Sequence, residues 1–313
     1  MKILFLGNKE RGISCLLAVL EKHKVVGVIG HKKTSKKNYF VDEAISLGFD
    51  VFQPVDVNDQ RFITKLIVLA PDIIILAGYS PIVKKDFMSI AKYGCINLHG
   101  GKLPNYRGSS PMNWALINGD KNFTMTIIQV NAGVDTGNVL IEKVFPIEET
   151  DTIAELHEIA NNNFPQLLLK VLNKIEKNTI KPKIQDISTS SYYPLRFPED
   201  GLVFFDQLTA EEIHNRIRAL TLPYPGVLTY YNNRKVKILK SRLTKTPFFG
   251  EAGRIYRISN KMGVLVCAKD RCLWLGDVVN NETGENCIDV FSRYDKLATI
   301  KEVAENFYAN PKN

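Results

Sequence analysis

The chain contains no apolar run approaching the roughly 20 residues that a membrane-spanning helix needs, which argues against an integral membrane protein. Its opening run, Ile3-Leu4-Phe5-Leu6, is cut by Gly7, Asn8, Lys9, Glu10 and Arg11, too soon for the apolar region of a signal peptide, and a cytoplasmic location is expected. Cysteine is sparse: Cys15, Cys95, Cys267, Cys272 and Cys287 form an odd, scattered set with no accompanying His–Cys cluster. That pattern favours free thiols, buried or half-buried, over metal binding. Internal repeats and low-complexity tracts are missing as well. Charge is not one-sided: 41 Lys+Arg against 33 Asp+Glu leave +8. This balance suits anionic partners but is too mild to choose among RNA, a nucleotide and a membrane surface. With 45% apolar and 24% charged residues the 313-residue chain has the composition of a globular protein, not of a disordered or rod-like one. Its length calls for one large domain plus a smaller one.

The large domain shows alternating strand and helix patterns through about Phe145. Ile3–Leu6 reads as a parallel strand buried on both faces. It is followed by a helical face at Ile13, Leu16, Leu17 and Leu20. Val25–Ile29, Ile73–Leu76, Cys95–Leu98 and Thr126–Val130 add four strands. Such alternation predicts an α/β fold with an open, mostly parallel Rossmann-like sheet. A capping box, Thr152-x-x-Glu155, opens a helix lined by Leu156, Ile159 and Ala160, which Pro165 should kink or break. The sequence turns polar from Lys174 to Pro198, the composition of a linker. A second capping box, Thr209-x-x-Glu212, precedes Ile213, Ile217 and Leu220. Beyond Pro223 the period falls toward two. Leu228–Tyr231, Asn232-Asn233 and Lys235–Ile238 read as a hairpin, and Ile255–Ile258, Gly263–Cys267 and Leu273–Val278 as further strands. The expected organisation is an α/β catalytic domain over 1–180, a linker over 181–200, and a small β-barrel or OB-like domain over 201–313 with a terminal helix. Ala298, Ile300, Val303 and Phe307 would share one face of that helix.

The first turn does not support a dinucleotide site. Gly7-Asn8-Lys9-Glu10-Arg11-Gly12 is not G-x-G-x-x-G, and no Lys-Ser/Thr pair makes a P-loop. The turn could still bring Lys9 and Arg11 to an anionic group at the helix N-terminus; the alternative is an ordinary strand–helix turn with solvated charges. More informative is the stretch from Asn97 to Trp114. Asn97 and His99, two apart at the end of an apolar strand, share a face at the carboxyl edge, where open α/β sheets bind ligands. Gly100 and Gly101 then allow close backbone approach, and Tyr106-Arg107-Gly108 offers a stacking surface and a cation. This combination points to function. In Asn131-Ala132-Gly133-Val134-Asp135-Thr136-Gly137-Asn138, two glycines surround one acid. Spacing alone favours a plain turn there over a loop aiming Asp135 inward.

Taken together, Asn97-x-His99, Leu103-Pro104-x-Tyr106-Arg107-Gly108 and Asp135-x-Gly137 resemble the motifs of the folate-dependent formyltransferases. That group includes methionyl-tRNA formyltransferase, glycinamide ribonucleotide transformylase and the nucleotide-sugar N-formyltransferases. The likeness extends over nearly the whole chain, since Arg218-Ala219-Leu220, Pro223-Tyr224-Pro225-Gly226 and the hairpin after it resemble the smaller C-terminal domain of the family. It implies a catalytic trio of Asn97, His99 and Asp135. It also implies that the co-substrate 10-formyltetrahydrofolate lies along Ala77-Gly78-Tyr79-Ser80-Pro81-Ile82 and near Ala132 and Asp135, with no metal. The chemistry suits these residues. When a neutral amine attacks a formyl carbon, the tetrahedral oxyanion needs prearranged donors, which the Asn97 amide and a His99 N–H can supply. Asp135 can orient His99 and help relay the amine proton through water.

Two features bear on the acceptor. Gly101-Lys102-Leu103-Pro104 stands where a tRNA-directed member is expected to carry Ser-Leu-Leu-Pro, and the basic run His31–Lys37 is short. Pro223-Tyr224-Pro225-Gly226 and its Tyr-rich hairpin look more similar to the enzymes that formylate nucleotide-linked amino sugars. A small nucleotide-sugar substrate is therefore expected, with Lys9, Arg11, Gly12, Lys102, Tyr106 and Arg107 as candidate ligands for its pyrophosphate, base or sugar. The runner-up is a methionyl-tRNA formyltransferase, in which nucleic acid would be the partner. A non-catalytic RNA-binding protein is a third reading; the β-domain lacks the dense Lys/Arg stripe with interleaved aromatics that it requires. Edge strands of the β-domain could pair in a homodimer, though nothing in the sequence demands it.

Overall fold

A computed structural model describes residues 1–309. The chain divides into two compact units, one formed by Met1–Pro111, Asn122–Pro146 and His157–Pro194, the other by Met112–Lys121, Ile147–Leu156 and everything from Leu195 onward. Boundaries drawn from composition, at 180 and 200, miss the two short segments that belong to the second unit. The stretch expected to be a linker is divided as well, its portion up to Pro194 belonging to the first.

In the first unit a seven-stranded sheet is built from β1 (Lys2–Gly7), β2 (Lys24–Ile29), β3 (Val51–Phe52), β4 (Ile73–Ala77), β5 (Cys95–His99), β7 (Asn122–Gln129) and β8 (Val139–Pro146), in the order β3-β2-β1-β4-β5-β7-β8. A short β6 (Arg107–Gly108) pairs apart with β9 (Tyr192–Tyr193). β1 to β5 are parallel to their neighbours, whereas β7 runs antiparallel to β5 and β8 antiparallel to β7. The apolar runs Ile3–Leu6 and Ile73–Leu76 are buried on both faces, as expected for central strands of a parallel sheet. Helices α1 (Lys9–Leu20), α2 (Tyr39–Ser46), α3 (Gln60–Ile67) and α4 (Lys85–Met88) fill the crossovers; α5 (Pro111–Ile117), next after β6 in the chain, belongs from Met112 on to the second unit. Successive strands are added to one side from β1 to β3 and to the other from β4 onward, so the switch falls between the parallel neighbours β1 and β4, whose carboxyl ends open a crevice of the type that binds ligands in such sheets. The helix α6 (Ile153–Glu176) passes through Pro165 without a break, contrary to the expected interruption. Its apolar positions Phe164, Leu168, Val171 and Leu172 are fully buried, so packing overrides the loss of one main-chain hydrogen bond.

The second unit carries α7 (Ala210–Leu220) and an antiparallel sheet of β10 (Val227–Tyr231), β11 (Arg234–Leu243), β12 (Ile255–Ser259), β13 (Gly263–Cys267) and β14 (Cys272–Asn280), ordered β10-β11-β14-β13-β12. The Thr209–Glu212 capping box is present on α7. Asn232 and Asn233 both take left-handed φ, 47° and 61°, the tight hairpin turn that their dipeptide predicts. Edge strands β10 and β12 are spanned by the segment after Arg293: Tyr294 N–H donates to Ile255 O (2.8 Å) and Ala298 N–H to Tyr230 O (2.9 Å). Closure of the barrel-like sheet thus rests on an irregular strap.

Cys267 and Cys272 lie opposite each other across β13 and β14 and are joined as a disulfide, which corrects the free-thiol expectation for this pair. Cys15 and Cys95 are free and buried. The terminal helix is α8 (Ile300–Ala309), with Ile300 44% exposed and Val303 half-buried. The Phe307 side chain lies outside the described residues.

Candidate active site

β5 carries Asn97 and His99 on alternate residues to its carboxyl end, where the sheet no longer needs apolar side chains. His99 is 5% exposed, and its Nε2 lies 2.6 Å from the main-chain oxygen of Tyr106. A carbonyl oxygen can only accept, so Nε2 bears the hydrogen and donates it. Nδ1 is then the ring atom left to exchange a proton, and it faces Asp135 Oδ2 at 3.6 Å. That separation is too long for a hydrogen bond but close enough to stabilise the ring once charged. With Nε2–H occupied by Tyr106, the oxyanion donor available in this arrangement is the Asn97 amide. Its Nδ2 lies 3.5 Å from Asp135 Oδ1, at the outer limit of hydrogen bonding.

Asp135 reaches this position from the loop between β7 and β8. An Asx-type turn, with Gly133 N–H and Thr136 Oγ1 both donating to Asn131 Oδ1 (3.1 and 2.6 Å), shapes the loop. Asp135 itself takes φ 52°. Its Oδ2 accepts the Gly108 N–H at 2.9 Å. Gly108 has φ 97°, and a Cβ there would strike the main chain of Tyr193; the residue must be glycine to bring its N–H to the carboxylate. The loop that spacing alone favoured as a plain turn is therefore both a turn and the carrier of an inward acid.

Several expected substrate ligands are placed differently. Arg107 is 3% exposed, with Nε and Nη2 donating to Gln185 Oε1 (3.1 and 2.8 Å) and Nη1 to the Tyr192 hydroxyl (3.1 Å). It is an internal strut and not a ligand for a pyrophosphate. Gly12 is also withdrawn from that role: its N–H donates to Asn8 O (3.0 Å), and its α-carbon faces the ring of Phe40. Tyr106 is half-buried and stacked on Tyr193, with ring centroids 4.9 Å apart. Lys102 is exposed in the turn before it. Lys9 is exposed with φ 53° at the start of α1, while Arg11 turns onto α6, donating to His157 Nδ1 (3.4 Å) and lying 5.1 Å above the ring of Phe164. Burial, then the charges of Arg11 and Lys9, lower the His157 pKa to about 4.

The loop from Ala77 to Ile82 leaves β4 beside the start of α1, where Asn8 N–H donates to Ala77 O (3.1 Å). Gly78 has φ 74° and Tyr79 is buried, but Ser80, Pro81 and Ile82 are exposed. Two residues absent from the sequence-based site hold this loop. His31 Nε2 accepts from Ser80 N–H (3.3 Å) and is 3.2 Å from the Ser80 hydroxyl, with the His31 ring edge-on to Tyr79. Asn58 donates to Ile82 O (2.9 Å) and accepts from Lys84 N–H (2.7 Å). Burial, and next the charge of Lys9, push the His31 pKa below its ordinary value. In the sequence His31 reads only as the head of a basic run; no local signal marks Asn58 or Gln185.

Ala132 sits at the exposed tip of the Asp135 loop, beside Val134, which is 47% exposed. Among the described residues no group of three or more His, Cys, Asp or Glu side chains could hold a metal ion, and no helix is long and apolar enough to cross a membrane.

Known proteins match the chain along most of its length. The Formyl transferase family model matches residues 1–172, and the model of the Formyl transferase C-terminal domain matches residues 197–287. Methionyl-tRNA formyltransferase of Clostridium novyi (strain NT) is 35% identical over 277 residues, covering 86% of this chain and 89% of that protein. The bifunctional polymyxin resistance protein ArnA of Wigglesworthia glossinidia brevipalpis is 37% identical over 263 residues, 79% of this chain but 39% of the relative. Among solved structures, the N-formyltransferase of Helicobacter canadensis, determined with folinic acid and dTDP-3-aminofucose, superposes with a TM-score of 0.69 at 22% identity, covering 88% of this chain and 99% of that one. The chain belongs to the formyl transferase family.

Proposed function

We propose that the protein moves a formyl group from 10-formyltetrahydrofolate to the amine of a nucleotide-linked amino sugar, acting in the cytoplasm. The observation that carries formyl transfer is the state of His99: Nε2–H held by Tyr106 O at 2.6 Å, and Nδ1 turned to the Asp135 carboxylate at 3.6 Å. In this reading the acceptor nitrogen bonds to the formyl carbon and gives up a proton to Nδ1. The resulting imidazolium lies between two oxygens, Asp135 Oδ2 and Tyr106 O. Asn97 Nδ2 donates to the formyl oxygen as it gains negative charge. The bond from the formyl carbon to the folate nitrogen then breaks, and the proton passes to that nitrogen, through water where needed. The residues present suit a flat, amphipathic donor: Ile82 and Val134, 68% and 47% exposed, offer apolar contact near loops that also present polar main chain.

The sugar acceptor is supported by the short connection from β2 to α2, residues 30–38, which leaves little to grip an acceptor stem, by the exposed Lys102, and by the fold likeness to the Helicobacter enzyme. Formylation of methionyl-tRNA is the second reading, favoured by the 35% identity to the Clostridium protein. A mass-spectrometric transfer assay separates them. The protein and 10-formyltetrahydrofolate are incubated with nucleotide-linked 3-amino, 4-amino and C2-branched amino sugars and, separately, with methionyl-tRNA. A formyl mass gain on one amino sugar, abolished by His99→Ala, is the expected result. Gain on methionyl-tRNA alone overturns the acceptor assignment. RNA binding that survives His99→Ala, with transfer to neither acceptor, would favour the non-catalytic reading.

A further inference from the structure

Gln185 bears no reactive group, yet the two segments that hold Asp135 meet on it. Its amide nitrogen donates to the main-chain oxygens of Asp135 (2.8 Å) and Gly137 (2.6 Å), and its amide oxygen accepts from Arg107 Nε (3.1 Å) and Nη2 (2.8 Å). A primary amide has two N–H donors and an oxygen with two lone pairs, so its full hydrogen-bonding capacity is used, at 8% exposure. The amide's orientation is chemically determined. Arginine only donates, so the oxygen must face Arg107; carbonyls only accept, so the nitrogen must face Asp135 and Gly137. Lys183 exchanges main-chain hydrogen bonds with Val139 (2.9 and 2.8 Å), which fixes the chain two residues before Gln185. β9 pairs with β6, which fixes it again at Tyr192–Tyr193.

Asp135 is consequently held from both ends. Its carboxylate is held by the N–H of Gly108, the neighbour of Arg107, and its main chain by Gln185, which also holds Arg107. Asp135 also needs such restraint, because φ 52° is a conformation that non-glycine residues adopt at a cost. Bonds to the carbonyls of residues 135 and 137 grip the turn on both sides of Thr136. We infer that Gln185 is a positioning residue, which sets the Asp135 carboxylate against His99 through the strained turn and, by way of Arg107, through Gly108. The inference rests on the reading of His99 and Asp135 as the proton-handling pair.

Two substitutions in the full chain separate positioning from simple support. Gln185→Glu keeps an oxygen for Arg107 but has no donor for either carbonyl, whereas Gln185→Met keeps the approximate shape and loses both functions. Both variants are expected to lose kcat by about 100-fold, the scale of a misplaced catalytic group, with KM for the acceptor within about twofold of wild type. A second readout needs no turnover. Amide exchange of Gly108, measured by nuclear magnetic resonance, should speed up at least about tenfold in both variants, while β1 and β4 keep wild-type protection. Folded variants with wild-type kcat and wild-type Gly108 exchange overturn the inference. So does a loss of protection spread equally over β1 and β4, which would make Gln185 a general support. If the wild-type protein formylates no acceptor, the functional reading fails separately, and Gly108 exchange alone then decides whether Gln185 sets the Asp135 carboxylate.

Discussion

Asn97 lies two residues before the end of β5, and apart from Asp135 Oδ1 at 3.5 Å its amide is held weakly. In the proposed reaction a donor kept half-free in this way would contribute as charge develops opposite it. Removing one prearranged oxyanion donor costs about 10²–10³ in kcat. Asn97→Ala is therefore expected to lose that much in single-turnover formyl transfer, with little change in thermal stability because the residue is only half-buried. A loss below about tenfold would place the oxyanion donor elsewhere. At this scale the placement of Asn97 and His99 was legible, because alternation at the end of an apolar strand puts both on one face. Arg107 was misread for a physical reason: an arginine beside a glycine in a loop looks the same whether its partner is a phosphate or a distant amide. That amide, Gln185, is 78 residues away along the chain and lies in a polar stretch resembling a linker.

Among the elements, the buried parallel strands and the Thr209–Glu212 capping box were legible from local pattern alone. Strand direction was not: β7 reads as a strand, but nothing in Thr126–Val130 reveals that it opposes β5. The two-residue β3 and the largely exposed β8 offer too little apolar alternation to detect. The brace between the β2–α2 connection and the Ala77–Ile82 loop was equally hidden, and it has a pH dependence of definite sign. His31 accepts from Ser80 N–H only while its ring is neutral. Burial and Lys9 depress its pKa; Tyr79, the other titratable group facing it, is pushed up to about 12 and stays neutral. The contact is thus intact above the ordinary histidine value of about 6.5 and is lost as pH falls through the lower folded-state value. Affinity for 5-formyltetrahydrofolate should fall in wild type between pH 7 and pH 5. His31→Gln, whose amide oxygen accepts at any pH, should show a shallower slope in the same titration. Equal slopes would show that the ligand or another group sets the dependence.

For the molecule as a whole, the change of period after Pro223 made a second unit legible. Its recruitment of 112–121 and 147–156 was not, because short segments inside a longer α/β pattern have no composition of their own. Each unit contains a histidine that folding keeps neutral. His157 in the first has its pKa lowered to about 4 by burial, then by Arg11 and Lys9; His214 in the second is lowered to about 4 by burial, then by Arg218. In the unfolded chain both titrate near 6.5, so between about pH 6.5 and pH 4 the unfolded state binds more protons. Their stability contribution is complete above that window and is lost as pH falls through it. His214 is 6% exposed, with Nδ1 2.8 Å from Ser241 Oγ. For this group the loss reaches on the order of 3 kcal/mol at the acid end. Calorimetry at pH 7, 6 and 5 should show unfolding shifting to lower temperature with acid. His214→Gln, which retains a polar side chain for Ser241, and His157→Gln should each flatten this acid dependence, and the double variant should flatten it further. An unchanged acid slope in both single variants would assign the sensitivity to other groups.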